Sequence, residues 1–304
     1  SWVDGLGMLD QADGLRLLAS CYRKHDQRMV RDPASRLVCV TGGKGGVGKT
    51  NVAANLGLAL CSLGSRVVLF DADLGLANLD MILGLEPRYT LEHVVRGQVE
   101  DLRDVVMDGP GGLKVVAGGS GIAELANLPG AAVQRLLRGL MGLQELGDTV
   151  VIDTSAGIHQ TVLSFIVSAH ETLLVTTPEP TAVAAAYATM KAVSTQIQDP
   201  RFFLVVNMAR SDQEGQEAID RLTHVAKQFL GIRVRSLGII PWDSRVSDAV
   251  RLRVPFVQQF PGCAASRRLR SVAEQLCTRK PQPQPGVGLA TAVDRLRKFF
   301  FARA

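Results

Sequence analysis

The sequence predicts an α/β fold, a mostly parallel central β-sheet flanked by helices on both faces. Three observations predict it. Between Leu37 and about Cys277, apolar strand-like runs alternate with helical segments, the rhythm of parallel strands joined by helical crossovers. The strand runs are continuously apolar, as strands buried on both faces must be. A glycine-rich turn, "VTGGKGGVGKTNVA" at 40–53, stands between the first strand and the first helix, where a phosphate-binding loop belongs.

Taken in order, residues 1–35 form a separate N-terminal extension. Leu9, Ala12, Leu15, Ala19 and Tyr22 recur at helical spacing. Gly14 inside that pattern costs about 1 kcal/mol relative to Ala, so this helix is marginal alone and suited to being ordered by a partner. Strands are predicted at 37–41, 67–71, 113–117, 149–153, 172–176, 202–207 and 236–240, with helices at 50–63, 131–143, 181–197 and 213–230 between them. The main domain therefore runs over 36–278. "RKPQPQPG" follows, and its prolines make 279–286 an extended linker. Residues 287–304 form a last helix with Leu289, Ala292, Val293, Leu296, Phe299 and Phe300 on one face, and Asp294, Arg295, Arg297 and Lys298 away from it.

Composition narrows the class. Hydrophobic residues at 46% suffice for a packed core, and a net charge of +5 is only mildly basic. The five cysteines (21, 39, 61, 263 and 277) form no Cys-x-x-Cys pair, which argues against a disulfide framework or a structural zinc and for a reduced, cytosolic protein. No signal-peptide pattern and no run of 18 apolar residues is present. The expectation is a cytoplasmic chain that meets a membrane only at its surface.

The loop Gly43, Lys44, Gly45, Gly46, Val47, Gly48, Lys49, Thr50 satisfies G-x-x-x-x-G-K-[ST]. Its backbone N–H groups suit phosphate oxygens, and the helix that opens with Thr50 and Asn51 adds its dipole. Lys49 is the candidate for the β/γ-phosphates and the Thr50 hydroxyl for Mg²⁺. Metal and water chemistry needs carboxylates at neighbouring strand ends. "VVLFDADLG" offers Asp71 and Asp73, and "TVVIDTSAG" offers Asp153. Asp153 reads as the metal-side carboxylate, Asp71 as a second, and Asp73 as the group that orients an attacking water. Gly157 lets a loop approach the γ-phosphate. Left unexplained is Lys44, a second lysine in a loop already served by Lys49.

"KGGVGKTNVAANLG", "DADLGLANLD" and "DTSAGI" together resemble the deviant Walker A ATPases of the MinD/ParA group over roughly residues 36–277. The resemblance implies ATP and Mg²⁺ as ligands and a slow, switch-type ATPase. It implies that Lys44 crosses a dimer interface to the partner's nucleotide, that Asp73 acts in water activation, and that Asp153 is the Walker B aspartate. Adenine would be read by Asn207 and by the loop from Pro241 to Asp243. The cysteine spacing lacks the cluster ligands of the group's iron–sulfur members, and "DLGLANLD" is closer to MinD than to the "DPQ" of partition proteins.

The segment "DQADGLR", with Asp10, Gln11, Ala12, Leu15 and Arg16, resembles the "DQAxxLR" element of the FlhG (FleN) branch, which controls flagellar number and placement. That resemblance implies an ATP-dependent homodimer and a flagellar GTPase of the FlhF type as partner. It further implies a FleQ-type transcription activator or C-ring components, and no direct role for nucleic acid. Ser155 stands where the branch more often has glycine. For the tail, Leu289, Val293, Leu296, Phe299 and Phe300 suit an anionic membrane surface or, alternatively, the protein's own core. Three rival functions remain open: a MinD-type division-site regulator, a ParA-type DNA-partition ATPase using "RLR" (251–253) and "RRLR" (267–270), and an interaction protein whose turnover is incidental.

Overall fold

The computed structural model describes residues 35–73, 78–119, 130–278 and 288–301, all within one compact unit, Ser35–Ala304. Eight strands form one sheet: β1 (Arg36–Thr41), β2 (Val67–Asp71), β3 (Val106–Asp108), β4 (Lys114–Val116), β5 (Thr149–Asp153), β6 (Glu171–Thr176), β7 (Phe202–Ala209) and β8 (Val234–Pro241). Their order across the sheet is β3-β4-β2-β5-β1-β6-β7-β8. Every pair is parallel except β3 with β4. The seven predicted strands are all present. The unpredicted β3 is a three-residue antiparallel edge strand with no buried residue, too short and too exposed to leave a hydrophobic pattern.

The helices are α1 (Lys49–Ser62), α2 (Leu79–Leu83), α3 (Leu91–Val95), α4 (Gly130–Gly142), α5 (Gln160–Ser168), α6 (Pro180–Ser194), α7 (Asp212–Val225), α8 (Ser244–Leu252), α9 (Phe256–Gln259), α10 (Ala264–Cys277) and α11 (Leu289–Phe301). Two cores result, one on each face of the sheet. Alternate residues of a strand point to opposite faces, so in β1 Leu37 and Cys39 join one core while Val38 and Val40 join the other. The first core receives α3 to α7 and α11; the second receives α1, α2 and α8 to α10. Residues on both faces of the inner strands are almost fully buried, which is why their sequences read as unbroken apolar runs.

Two features position the site. β1 is central, between β5 and β6, so the loop leaving its carboxyl end opens at the crevice where parallel α/β sheets bind ligands. β2 and β5 are neighbours in register, with Asp71 opposite Asp153. Two carboxylates 82 residues apart in sequence thereby end side by side at the same edge.

Candidate functional site

The phosphate loop is shaped by specific close approaches. Gly48 adopts φ +87° as it hands the chain to α1, a left-handed conformation that side chains rarely take. A Cβ on Gly43 would lie 2.1 Å from the Ala185 carbonyl oxygen of α6, so only glycine lets that helix pack on the loop. At Gly45 and Gly46, by contrast, a Cβ would meet nothing within 4 Å. The loop is thus clamped at its start and open over its middle, where its backbone faces free space.

Lys49 is buried at the foot of this cradle (8% exposed). Burial lowers its pKa, and the negative charges of Asp153 and Asp73 oppose that shift. Asp153 is 1% exposed and is raised to about 7, chiefly by burial; the Thr50 hydroxyl and Lys49 lie close enough to pull it back down. Even so, neither Asp153 oxygen has a hydrogen-bond partner of normal geometry among the described residues. Asp71 is held well above the usual carboxylate range by burial and by Asp153. One of its oxygens accepts the Asp73 N–H at 3.0 Å, and the other is unpartnered among the described residues.

Buried carboxylate oxygens without donors are costly unless a cation or ordered water completes them. Two such groups beside Lys49 and Thr50, below an open glycine cradle, are the donor set expected for a hydrated Mg²⁺ next to a phosphate chain. The residues present therefore fit both ligands that the sequence implies.

Lys44, Asn207 and the cavity beyond β8 complete the geometry. The Lys44 ammonium lies 2.8 Å from Glu179 and 3.0 Å from the Thr181 hydroxyl, both at the start of α6. It is tied to its own chain beside the cradle. β7 is irregular between Val206 and Ala209, and Met208 there takes φ +58°. Asn207 is nearly buried and donates through Nδ2 to the Val47 carbonyl at 2.9 Å, linking that strand end to the phosphate loop. A small cavity of about 70 Å³ beside it is lined by Asn51, Asn207, Met208, Pro241, Trp242 and Asp243 among others. Trp242 is 62% exposed. Asp243 also caps α8, accepting from the Arg245 N–H.

The fold thus brings together every sequence-predicted residue of the nucleotide site. Sequence reasoning missed Glu179, Thr181 and Met208; "TPEPT" before a helix and a strained position after Asn207 carry no chemical signature by themselves. Asp10, Gln11, Ala12, Leu15 and Arg16 lie outside the described residues. So does the linker at 279–286.

The predicted tail helix is present, but Ala292, Val293 and Leu296 are buried (at most 8% exposed) against the core beside α4 and α5. The apolar face assigned to a membrane is here turned onto the protein itself. The side chains of Leu289, Phe299 and Phe300 lie outside the described residues.

Four of the five arginines considered for DNA make contacts within the fold. Arg267 donates to the Gly262 carbonyl, Arg268 pairs with Asp212 at 3.2 Å, and Arg270 donates to the Pro261 carbonyl at 2.6 Å. Arg251 lies 3.5 Å from Asp248.

Comparison with known proteins agrees with this geometry. Residues 38–256 match the CobQ/CobB/MinD/ParA nucleotide binding domain family. The antiactivator FleN of Pseudomonas aeruginosa is 41% identical over 261 residues, which cover 86% of this chain and 93% of that protein. The flagellum site-determining protein YlxH of Helicobacter pylori is 32% identical, covering 87% of this chain and 90% of its own length. Among solved structures, the Pyrococcus furiosus cell division ATPase MinD superposes with a TM-score of 0.64 at 26% identity, covering 80% of this chain and 99% of that one.

Proposed function

The chain belongs to the MinD/ParA family of nucleotide-binding ATPases, alongside the FleN and YlxH flagellar regulators, and we propose that it is an ATP-driven dimerising switch that sets flagellar number and placement. The observation that carries the nucleotide part is the buried Asp71–Asp153 pair, with oxygens left unpartnered beside Lys49. Lys44 supports the switch: it stands at the exposed side of the cradle, in a contact that can be exchanged for a partner's phosphate.

The residues divide the work. Backbone N–H groups from Gly43 to Gly48 bind and orient the phosphates, and Lys49 balances their charge in a site of low exposure. Asp153, Asp71 and Thr50 would hold Mg²⁺, which when bound supplies charge neutralisation on the phosphate oxygens. Asp73 orients the attacking water. Asn207 and the Pro241–Asp243 loop contact the base, and the Asn207 bond to Val47 carries base occupancy to the phosphate loop. Completion of the site by Lys44 from a second subunit makes dimerisation report ATP, and hydrolysis resets it.

The docked α11 is the resting arrangement of the membrane element. Its release on dimerisation would free Val293 and Leu296, together with Leu289, Phe299 and Phe300, for an anionic bilayer. Asp10, Gln11, Ala12, Leu15 and Arg16 would engage a flagellar GTPase of the FlhF type, with a FleQ-type activator or C-ring components as further partners. The DNA-partition reading is the weaker one, because its arginines are largely engaged within the fold.

Light scattering after size exclusion tests the proposal. The wild type should be a monomer with ADP and a dimer with a non-hydrolysable ATP analogue, and Lys44→Ala should stay monomeric in both. A wild-type monomer under every condition would overturn it.

A further inference from the structure

A second polar cavity, of about 300 Å³, lies away from the nucleotide site. Its lining is Gln160, Ser164 and Val167 from α5, Gln196 just beyond α6, and Arg295 and Lys298 from α11. One wall is therefore the docked C-terminal helix and the other is the body of the protein. Two cations and three uncharged hydrogen-bonding side chains face this space, with no acidic side chain among the described residues of its lining.

The bonding of the lining leaves specific capacity open. Arg295 Nε is buried and has no hydrogen-bond partner among the described residues, a costly arrangement unless an acceptor completes it. Ser164 is 2% exposed and donates to the Gln160 carbonyl at 2.8 Å, which leaves its oxygen free to accept. Lys298 is 2.8 Å from Asp294, a carboxylate that also holds Arg297 at 2.6 Å, so Lys298 retains donors for another acceptor.

We infer that this seam is a binding site for a phosphate ester, whose phosphate is held by Arg295 and Lys298 and whose polar remainder bonds to Gln160, Ser164 and Gln196. The guanidinium–ammonium pair selects a compact anion with several acceptor oxygens. The volume exceeds that of a lone phosphate and admits a small polar ester group. A ligand touching Arg295 and Gln160 together fastens α11 to the body. Gln160 is also the first residue of α5, directly after the loop that leaves Asp153. The same ligand therefore spans from the nucleotide-site loop to the membrane element, and its expected effect is to keep α11 docked. The inference rests on the docked geometry rather than on the ATPase reading.

The test uses the full chain, first titrated with Mg·ADP so that the phosphate loop is filled, then with glycerol 3-phosphate at constant ionic strength by calorimetry. Hydrogen exchange of the Ala292–Leu296 amides is followed in parallel. Saturable binding is expected, weakened at least about tenfold by Arg295→Gln and unchanged by Arg297→Gln, a helix cation outside the cavity lining. Amide exchange in α11 should slow about tenfold or more in wild type and in Arg297→Gln, and stay unchanged in Arg295→Gln. A parallel arm with phosphatidylglycerol vesicles separates the sources: vesicle binding that depends on both Arg295 and Gln160, without soluble binding, assigns the phosphate ester to a lipid headgroup. Vesicle binding that depends on Arg295 but not on Gln160 belongs to the released helix and overturns the seam site. If neither arm depends on Arg295, the site assignment is wrong. Failure of the Mg·ADP step alone would refute the nucleotide reading, and the Arg295 comparison would still decide this one.

Discussion

Lys44 and Glu179 form an ion pair of 2.8 Å between the phosphate loop and the start of α6, with the Thr181 hydroxyl 3.0 Å from the same ammonium. The contact is exposed on both sides, 43% and 65% of the side chains, so it is weak and exchangeable. The lysine that the proposed dimer would use to reach a second subunit is thus parked on its own chain. Glu179→Gln should release it and lower the ATP-analogue concentration for half-maximal dimerisation, by about two- to fivefold for an exposed pair. Light scattering across an analogue titration measures this. An unchanged or raised midpoint would mean that the pair does not restrain Lys44.

Asp73 stands two residues beyond the buried Asp71, in the charge field of Lys49 and Asp153. Asp73→Ala should leave ATP binding and dimerisation intact and cut phosphate release by about a hundredfold or more, the scale of a lost proton-handling group. Steady-state phosphate release and analogue-induced dimerisation, measured on one preparation, separate the two effects. Wild-type turnover would remove Asp73 from the mechanism.

Gly43→Ala places a methyl against the backbone of Ala185, 2.1 Å from its carbonyl oxygen. Backbone cannot turn aside as a side chain can, so α6 or the loop must move, at a cost of roughly 1–3 kcal/mol. A lower melting temperature and lost nucleotide binding are expected. Gly45→Ala, whose added methyl meets nothing within 4 Å, should keep wild-type thermal stability without nucleotide. Equal melting temperatures for the two variants would contradict this packing account.

Trp242 lies beside Asn207 and Pro241 in the cavity proposed for the base and is largely exposed. On that proposal it stacks on the adenine, so ADP should change its fluorescence. Trp242→Ala should weaken ADP about fivefold or more, in line with aromatic–base stacking of about 1–3 kcal/mol. Binding of pyrophosphate, which has no base, should be unaffected. Equal losses for ADP and pyrophosphate would point to damage to the loop instead.

His170 provides a pH dependence of stability. Its Nδ1 accepts the Leu37 N–H at 3.0 Å, which needs the neutral ring. Burial, reinforced by Arg36, lowers its pKa below the ordinary histidine value. Below about pH 6.5 the unfolded chain therefore binds more protons at this position than the folded one. This contribution to stability is present above that pH and is lost as the pH falls through it. Glu171, raised mainly by burial, acts in the opposite sense nearer the carboxylate range, so wild type must be compared with a variant. The melting temperature of His170→Asn should fall less than that of wild type between pH 8 and 5.5. Parallel curves would exclude His170 as the source.

Legibility in the sequence followed from how local each signal is. Inner strands such as "LVCVT" and "TVVID" are buried on both faces, so their apolar runs identified them directly. β3 has no such burial and stayed invisible. The phosphate loop was legible because its chemistry requires glycines and a lysine at fixed spacing within eight residues. Glu179 was not, because its importance arises only when α6 is brought onto the loop from 135 positions away in the sequence.

By itself, then, the sequence determined the parallel α/β sheet, the phosphate loop, the three aspartates and the family to which they belong, because each is encoded in a short run with its own physical signature. Only the tertiary structure decided which carboxylates are neighbours, where Lys44 rests and what α11 covers. Asp71 meets Asp153 through strand order, Lys44 meets Glu179 through helix packing, and the apolar stripe of α11 is buried by the body of the protein. An amphipathic helix specifies that one face must leave water; the rest of the fold chooses what receives it.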